Sequence, residues 1–82
     1  MTPEDARKAI LGELCADWKR WGKKASSDRE ALQRQLKIPP TPFSEVIQAL
    51  VLGGSLAYVQ GKPTSVRLDH GGEAYCEREG LA

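Results

Sequence analysis

The candidate residues for catalysis or metal binding are the single histidine, the aspartate beside it and the two cysteines: His70, Asp69, Cys15 and Cys76. His70 is the only histidine, and a histidine beside a carboxylate is the pairing used in general base catalysis. We expect Asp69 and His70 to end a strand, where adjacent side chains point to opposite faces, so that Asp69 does not orient His70. The candidate ligands also lack the paired spacing of a zinc site. The sequence therefore predicts no catalytic residue, no metal and no cofactor, and the chain is not expected to be an enzyme.

The two cysteines also bear on the cellular compartment. They lie far apart in the sequence, which favours reduced, partly buried thiols over a disulfide. Glu4 and Asp5 stand where a signal peptide needs basic residues. No apolar run approaches the roughly 20 residues that cross a bilayer, so no membrane contact is expected. These features predict a cytoplasmic protein.

Length and composition are those of one small globular domain, covering residues 1–82. The chain has 82 residues, of which 40% are hydrophobic and 28% charged, enough for a single core. The formal net charge is only +1. The single dense cluster of cations, which either contacts a nucleic-acid backbone or is a solvated helix end, contains Lys19, Arg20, Lys23 and Lys24.

The first predicted helix runs from Pro3 to Trp21. Thr2 can cap it, and Gly22 is placed to end it. One face carries a continuous apolar stripe that we expect to be buried, formed by Ile10, Leu11, Leu14, Cys15, Trp18 and Trp21.

Two further helices follow with a short connection. Ser27 and Glu30 fit a capping box at the start of a helix, and two consecutive prolines after Ile38 stop it. The next helix is predicted over residues 42–52, with Thr41 as its N-cap and a pair of glycines at its end. The apolar positions of this pair of helices are Leu32, Leu36, Phe43, Val46, Ile47, Leu50 and Val51.

The last third of the chain is predicted to form a hairpin and a helix. Alternating residues predict two strands within 55–68, joined by a turn at residues 61–64, and a short helix follows Gly71 and Gly72. The expected fold class is α+β: a winged helix-turn-helix with a three-helix core, a two-stranded β-hairpin wing and a short C-terminal helix. The remaining core positions are Leu56 and Val59.

The segment LKIPPTPFSEVIQALVLGGSL resembles the helix-turn-helix of winged-helix transcription regulators of the MarR kind. The matching positions are Leu36, Ile38, Phe43, Val46, Ile47, Leu50 and Gly54. The later LDHGGEAY is similar to the passage from the returning wing strand into another helix in such domains. These positions specify a fold better than a function.

The resemblance implies binding to double-stranded DNA, with the helix over residues 42–52 in the major groove. The base readers would be Thr41, Ser44, Glu45 and Gln48, and the phosphate contacts would come from Arg34, Lys37, Lys62 and Arg67. An isolated domain of this size usually binds an operator as a dimer, and the ends of the first and last helices are the places for that interface.

The charge of the predicted recognition helix departs from the family pattern. Between Thr41 and Gly54 there is no cation and one anion, Glu45, which is unfavourable near phosphates. This keeps a protein-protein adaptor open as the alternative, with Ala49 and Leu52 on its docking surface. Convergence of the basic residues around the helix would favour DNA, and scatter would favour the adaptor.

Overall fold

The computed structural model describes residues 2–22 and 25–80 of the chain. In these ranges it is an α+β structure with four helices and a three-stranded antiparallel sheet, which confirms the predicted fold class in general terms. The elements in chain order are α1 (Pro3–Trp21), β1 (Ser27–Asp28), α2 (Arg29–Leu36), α3 (Pro40–Leu52), β2 (Leu56–Val59), β3 (Lys62–Leu68) and α4 (His70–Arg78).

Helix α1 begins and ends where the sequence predicts. The Thr2 hydroxyl accepts a hydrogen bond from the Asp5 N–H at 3.1 Å, and Gly22 ends the helix with a φ of 83°. The predicted stripe is wrong at its end, because Trp18 is half-buried and Trp21 is 69% exposed. The fully buried residues of α1 stop at Cys15, so the packing of other elements covers the helix only that far.

The predicted cap of α2 is off by one residue. Ser27 lies in β1, where it pairs with Val66 of β3, and its hydroxyl donates to an Asp17 carboxylate oxygen at 3.2 Å. The N-cap is Asp28, whose carboxylate accepts from the Ala31 N–H at 3.1 Å. Aspartate caps as well as serine does, and the sheet pairing holds Ser27 in extended backbone.

Helix α3 starts at Pro40, two residues earlier than predicted, with Pro39 as its N-cap and no side-chain cap. Thr41 therefore lies inside the first turn instead of capping the helix. The first-turn N–H groups have no partner within a helix, so a proline there loses no hydrogen bond and has the required φ already. The Phe43 N–H donates to the Pro39 carbonyl at 3.0 Å and closes this turn.

The sheet has three strands in the order β1-β3-β2, instead of the two strands of the predicted hairpin. The hairpin itself is present, with β2 and β3 joined by a turn at Gln60 and Gly61, where Gly61 has a φ of 80°. Lys62 therefore opens β3 and does not lie in the turn. The third strand was missed because β1 has two residues, too few for a visible alternation.

The last helix differs most from the prediction. It starts at His70, so Gly71 and Gly72 lie inside α4 and do not lead into it. Within α4, Cys76 is buried, Tyr75 is half-buried and Ala74 is exposed. The prediction of free thiols is wrong, because Cys76 forms a disulfide with Cys15 of α1. Distance along the sequence does not report distance in space, and the packing of α4 on α1 brings the two Cα atoms to 5.6 Å.

The core lies between α1, α3, α4 and the inner face of the sheet. Most predicted core residues are buried; the exceptions are Trp18, Leu36, Val51 and Val59, which are half-buried, and Trp21, which is exposed. The buried set is Ala6, Ile10, Leu11, Leu14, Cys15, Leu32, Ile38, Phe43, Val46, Ile47, Leu50, Leu56, Val66, Leu68 and Cys76.

Candidate nucleic-acid interface

Helix α3 has one buried side and one exposed side. Phe43, Val46, Ile47 and Leu50 are buried in the core. On a 3.6-residue period the opposite side carries polar residues and one leucine, and all of them are exposed: Thr41, Ser44, Glu45, Gln48 and Leu52. The four predicted base readers therefore share one exposed surface, which we call the α3 face.

Two clefts border the α3 face on the side of α1. A cleft of about 500 Å³ lies between the start of α1 and the second half of α3, and Arg7 and Ala49 are among its lining residues. A second cleft of about 310 Å³ lies between the start of α1 and the turn that precedes α3, with Glu45 on its wall. Arg7 thus supplies a cation beside α3 that the sequence did not indicate.

Two further clefts border α3 and the hairpin, and Arg29 lines both. The first, of about 220 Å³, separates α2 from α3 and also contains Glu30 and Ser44. The second, of about 370 Å³, is called here the hairpin cleft, and its other lining residues are Tyr58, Val59, Gln60, Gly61 and Pro63. Arg29 therefore stands between the α3 face and the hairpin.

Arg29 is half-buried. Its guanidinium carbon lies 5.6 Å from the ring centroid of Tyr58, within the range of a cation-π contact. Tyr58 is itself 43% exposed. The pair presents a fixed cation and an aromatic ring next to the α3 face.

Strand register explains why this pair was missed. Ser27 pairs with Val66, and Val66 pairs with Tyr58, so the three residues lie in a row across the sheet. Arg29 comes two residues after Ser27 in the chain. Its guanidinium contacts the ring of Tyr58, which is the last residue of that row on β2. Residues 29 and 58 are related only through β3 and the short strand β1, and no local sequence pattern reports that relation.

The four predicted phosphate contacts are not gathered beside the α3 face. Arg34 and Lys37 lie at the end of α2 that leads into α3, about 8 and 12 Å along the helix from Arg29, and neither lines the clefts described above. Arg67 is exposed between the buried Val66 and Leu68, so it lies on the outer face of the sheet. One of its terminal nitrogens donates to the Leu68 carbonyl at 3.2 Å. Lys62 is the first residue of β3 and pairs with Val59, which lines the hairpin cleft together with Arg29.

Asp69 and His70, the adjacent pair first considered for catalysis, lie at the start of α4. Asp69 is the N-cap of α4, and its carboxylate accepts from the His70 N–H at 2.9 Å. Neither residue lies in a strand, contrary to the expectation. Within residues 2–22 and 25–80, no group of three His, Cys, Asp or Glu side chains is arranged to hold a metal ion.

Comparisons with protein-family models, with curated proteins and with solved structures give no match to this chain. The resemblance to winged-helix regulators therefore stays a prediction from the sequence. In the part of the chain that the structure describes, no helix is long and apolar enough to cross a membrane.

Proposed function

We propose that this chain is a DNA-binding domain of the winged helix-turn-helix type. Helix α3 enters the major groove of double-stranded DNA, and the β2–β3 hairpin contacts the adjacent backbone as the wing. The observation that carries the proposal is the α3 face: Thr41, Ser44, Glu45 and Gln48 are all exposed on one side of a helix whose other side is fixed in the core.

The order of the neighbouring elements supports this proposal. Helix α2 leads into α3 through a turn of three residues, 37–39, and the hairpin follows α3 directly. A helix-turn-helix places its second helix in the major groove while the first helix crosses the backbone. Gln48 has the amide geometry that pairs with adenine N6 and N7, and Glu45 can accept from cytosine N4.

The proposal includes weak binding. Few cations border the α3 face, so few counterions are released, and we expect a slope of log K against log salt of roughly two to five in magnitude. The dissociation constant of a monomer at physiological salt is expected to be roughly micromolar or higher. Dimerisation through the ends of α1 and α4 would strengthen operator binding and stays a prediction.

A paired substitution of exposed helical alanines tests the DNA proposal. Ala49→Glu adds an anion beside the α3 face, and Ala74→Glu adds the same anion on α4, since both alanines are exposed. Titration of a labelled random-sequence duplex in low salt should show roughly fivefold or more weakening for Ala49→Glu alone. Absence of duplex binding by the wild type, or equal effects of both variants, would contradict the proposal.

A protein-protein adaptor is the second candidate. Two observations favour it: the scatter of Arg34, Lys37, Lys62 and Arg67 over different elements, and the exposed side chain of Leu52. This side chain is 81% exposed at the end of α3, and α3 has no cation of its own. A leucine beside the mainly apolar cleft between α1 and α3 suits a protein partner. If the chain is an adaptor, duplex binding by Ala49→Glu and by Ala74→Glu should both stay at the background level of the wild type.

A further inference from the structure

The guanidinium of Arg29 has no anionic partner in the structure. Its Nε atom is buried and makes no hydrogen bond. Within residues 2–22 and 25–80, the one ion pair is Lys8 with Glu4, at 3.9 Å on the surface of α1. Partial desolvation disfavours the charge of a half-buried cation unless something compensates it.

The contact with Tyr58 compensates part of that cost and fixes the position of the guanidinium. Arginine is planar, and its flat face can lie on an aromatic ring while its edge keeps hydrogen-bond donors for a ligand. A side chain already held in one rotamer loses less conformational entropy when it binds. Arg29 is therefore prepared for an acceptor that the folded chain does not itself supply.

The two clefts lined by Arg29 differ in charge, and this difference selects one of them. The cleft between α2 and α3 contains the carboxylate of Glu30, which disfavours an anion there. The lining of the hairpin cleft contains no acidic residue, and Gln60 adds an amide that can donate. An anion that contacts Arg29 is therefore best accommodated in the hairpin cleft.

We propose that Arg29, held by Tyr58, binds one backbone phosphodiester of the duplex in the hairpin cleft. The assignment rests on the proposed DNA-binding function and deepens it. Arginine and phosphate form paired, charge-assisted hydrogen bonds, and a phosphate contact fixes the register of a protein on the duplex. Arg29 thereby sets how α3 and the hairpin sit on the DNA together.

The chain contains a matched control for this proposal. The guanidinium carbon of Arg78 also lies 5.6 Å from a tyrosine ring, that of Tyr75, on helix α4. Arg29→Gln and Arg78→Gln therefore remove the same charge from the same kind of pair. In duplex titrations at several salt concentrations, Arg29→Gln should weaken binding roughly tenfold and lower the salt slope by about one. Arg78→Gln should change duplex binding by the monomer by less than about twofold, because screening weakens distant charges. Arg78 is the last residue of α4, where dimerisation is expected, so size-exclusion chromatography at the titration concentrations confirms that both variants are monomeric.

Further variants separate the phosphate contact from the stacking. Arg29→Lys keeps the charge but loses the planar fork, so it should weaken binding by about threefold and leave the salt slope unchanged. Tyr58→Phe keeps the ring and should bind within about twofold of the wild type. Tyr58→Leu removes the ring and should weaken binding by about threefold. Thermal melting of each variant confirms that it is folded.

The outcomes distinguish this proposal from the function on which it rests. Salt-sensitive duplex binding by the wild type, with equal losses in Arg29→Gln and Arg78→Gln, would overturn the Arg29 site and leave the DNA-binding proposal standing. No duplex binding by the wild type would overturn both. If Arg29→Gln unfolds below the assay temperature, the test uses the folded Arg29→Lys variant instead. Duplex affinity equal to that of the wild type in Arg29→Lys would then contradict the proposed phosphate contact of Arg29.

Discussion

The α2–α3 side and the α1–α4 side of this domain are held in place by different means. On the first side, α3 buries Phe43 and Ile47 in the core and leaves its other surface exposed. On the second side, α4 is fixed by the Cys15–Cys76 disulfide and by close backbone contact of Gly71 and Gly72 with the chain that follows α3. The side that lacks covalent and backbone constraints is the one that presents polar residues to solvent.

The difference indicates a division between stability and binding. A fully buried disulfide between the first and last helices closes most of the chain into one loop. The α3 face contributes little to the core, so its side chains can change with small effects on folding. We therefore expect substitutions near α4 to alter unfolding, and substitutions on the α3 face to alter binding.

Removal of the disulfide should have the largest effect on stability. The cysteines are separated by 61 residues, and the loop-entropy relation gives about 4 kcal/mol of stabilisation for a loop of that size. Cys15→Ala together with Cys76→Ala should lower the free energy of unfolding by about this amount, measured by equilibrium urea denaturation. Wild type unfolded and refolded in dithiothreitol should show a similar loss.

The double variant also provides the control for the reductant, because dithiothreitol should not change its unfolding midpoint. Two free thiols in the denatured, unreduced wild type would contradict the disulfide and restore the prediction of reduced cysteines. A disulfide is typical of oxidising compartments. The expected cytoplasmic location stays a prediction. Counting the free thiols of protein isolated from its native source tests this location, because a disulfide there would indicate an oxidising compartment.

Glycine substitutions should have the next largest effect. A Cβ at Gly72 would overlap the Ser55 carbonyl oxygen and lie 2.6 Å from a methyl carbon of Leu68, whereas a Cβ at Gly12 of α1 would meet nothing within 4 Å. Gly72→Ala should destabilise the protein by about 1 to 3 kcal/mol. Gly12→Ala should stabilise it by about 0.5 to 1 kcal/mol, because alanine favours helix. Equal shifts in melting temperature for the two variants would contradict the tight contact at α4.

The sequence predicted the elements that are marked locally and failed where contacts are distant. The N-cap Thr2, the prolines before α3 and the glycine in the hairpin turn act over a few residues. The bounds of α1 and α3 lie within two residues of the prediction, and the second strand of the hairpin begins three residues earlier than predicted. The disulfide and strand β1 depend on contacts between distant parts of the chain. Helix propensity also failed at α4, because tight packing at Gly71 and Gly72 outweighs the cost of glycine in a helix.

The candidate site was predictable to the same extent. The exposed positions Ser44, Glu45 and Gln48 of α3 follow from its period of 3.6 residues, whereas Thr41 is a base reader only by the resemblance to winged-helix regulators. Arg29 and Tyr58 were missed because Arg29 follows β1, Tyr58 lies in β2, and β3 lies between these two strands in the sheet. Period alone cannot predict which cations lie beside α3, since that depends on how α1, α2 and the hairpin pack around it.

Glu45 provides the test with the smallest expected effect. It is exposed on the α3 face, so Glu45→Gln removes an anion from the surface proposed to face DNA. The affinity for random-sequence duplex should rise by about two- to fivefold in low salt, while discrimination at a cytosine that Glu45 contacts falls, by about 1 to 3 kcal/mol. Glu77→Gln removes an exposed carboxylate from α4 and should change affinity by less than about twofold. If Glu45→Gln and Glu77→Gln bind the duplex alike, α3 does not lie in the major groove. The α3 face is then better explained as a protein-docking surface, where the loss of a rim charge changes the rate of association with a basic partner.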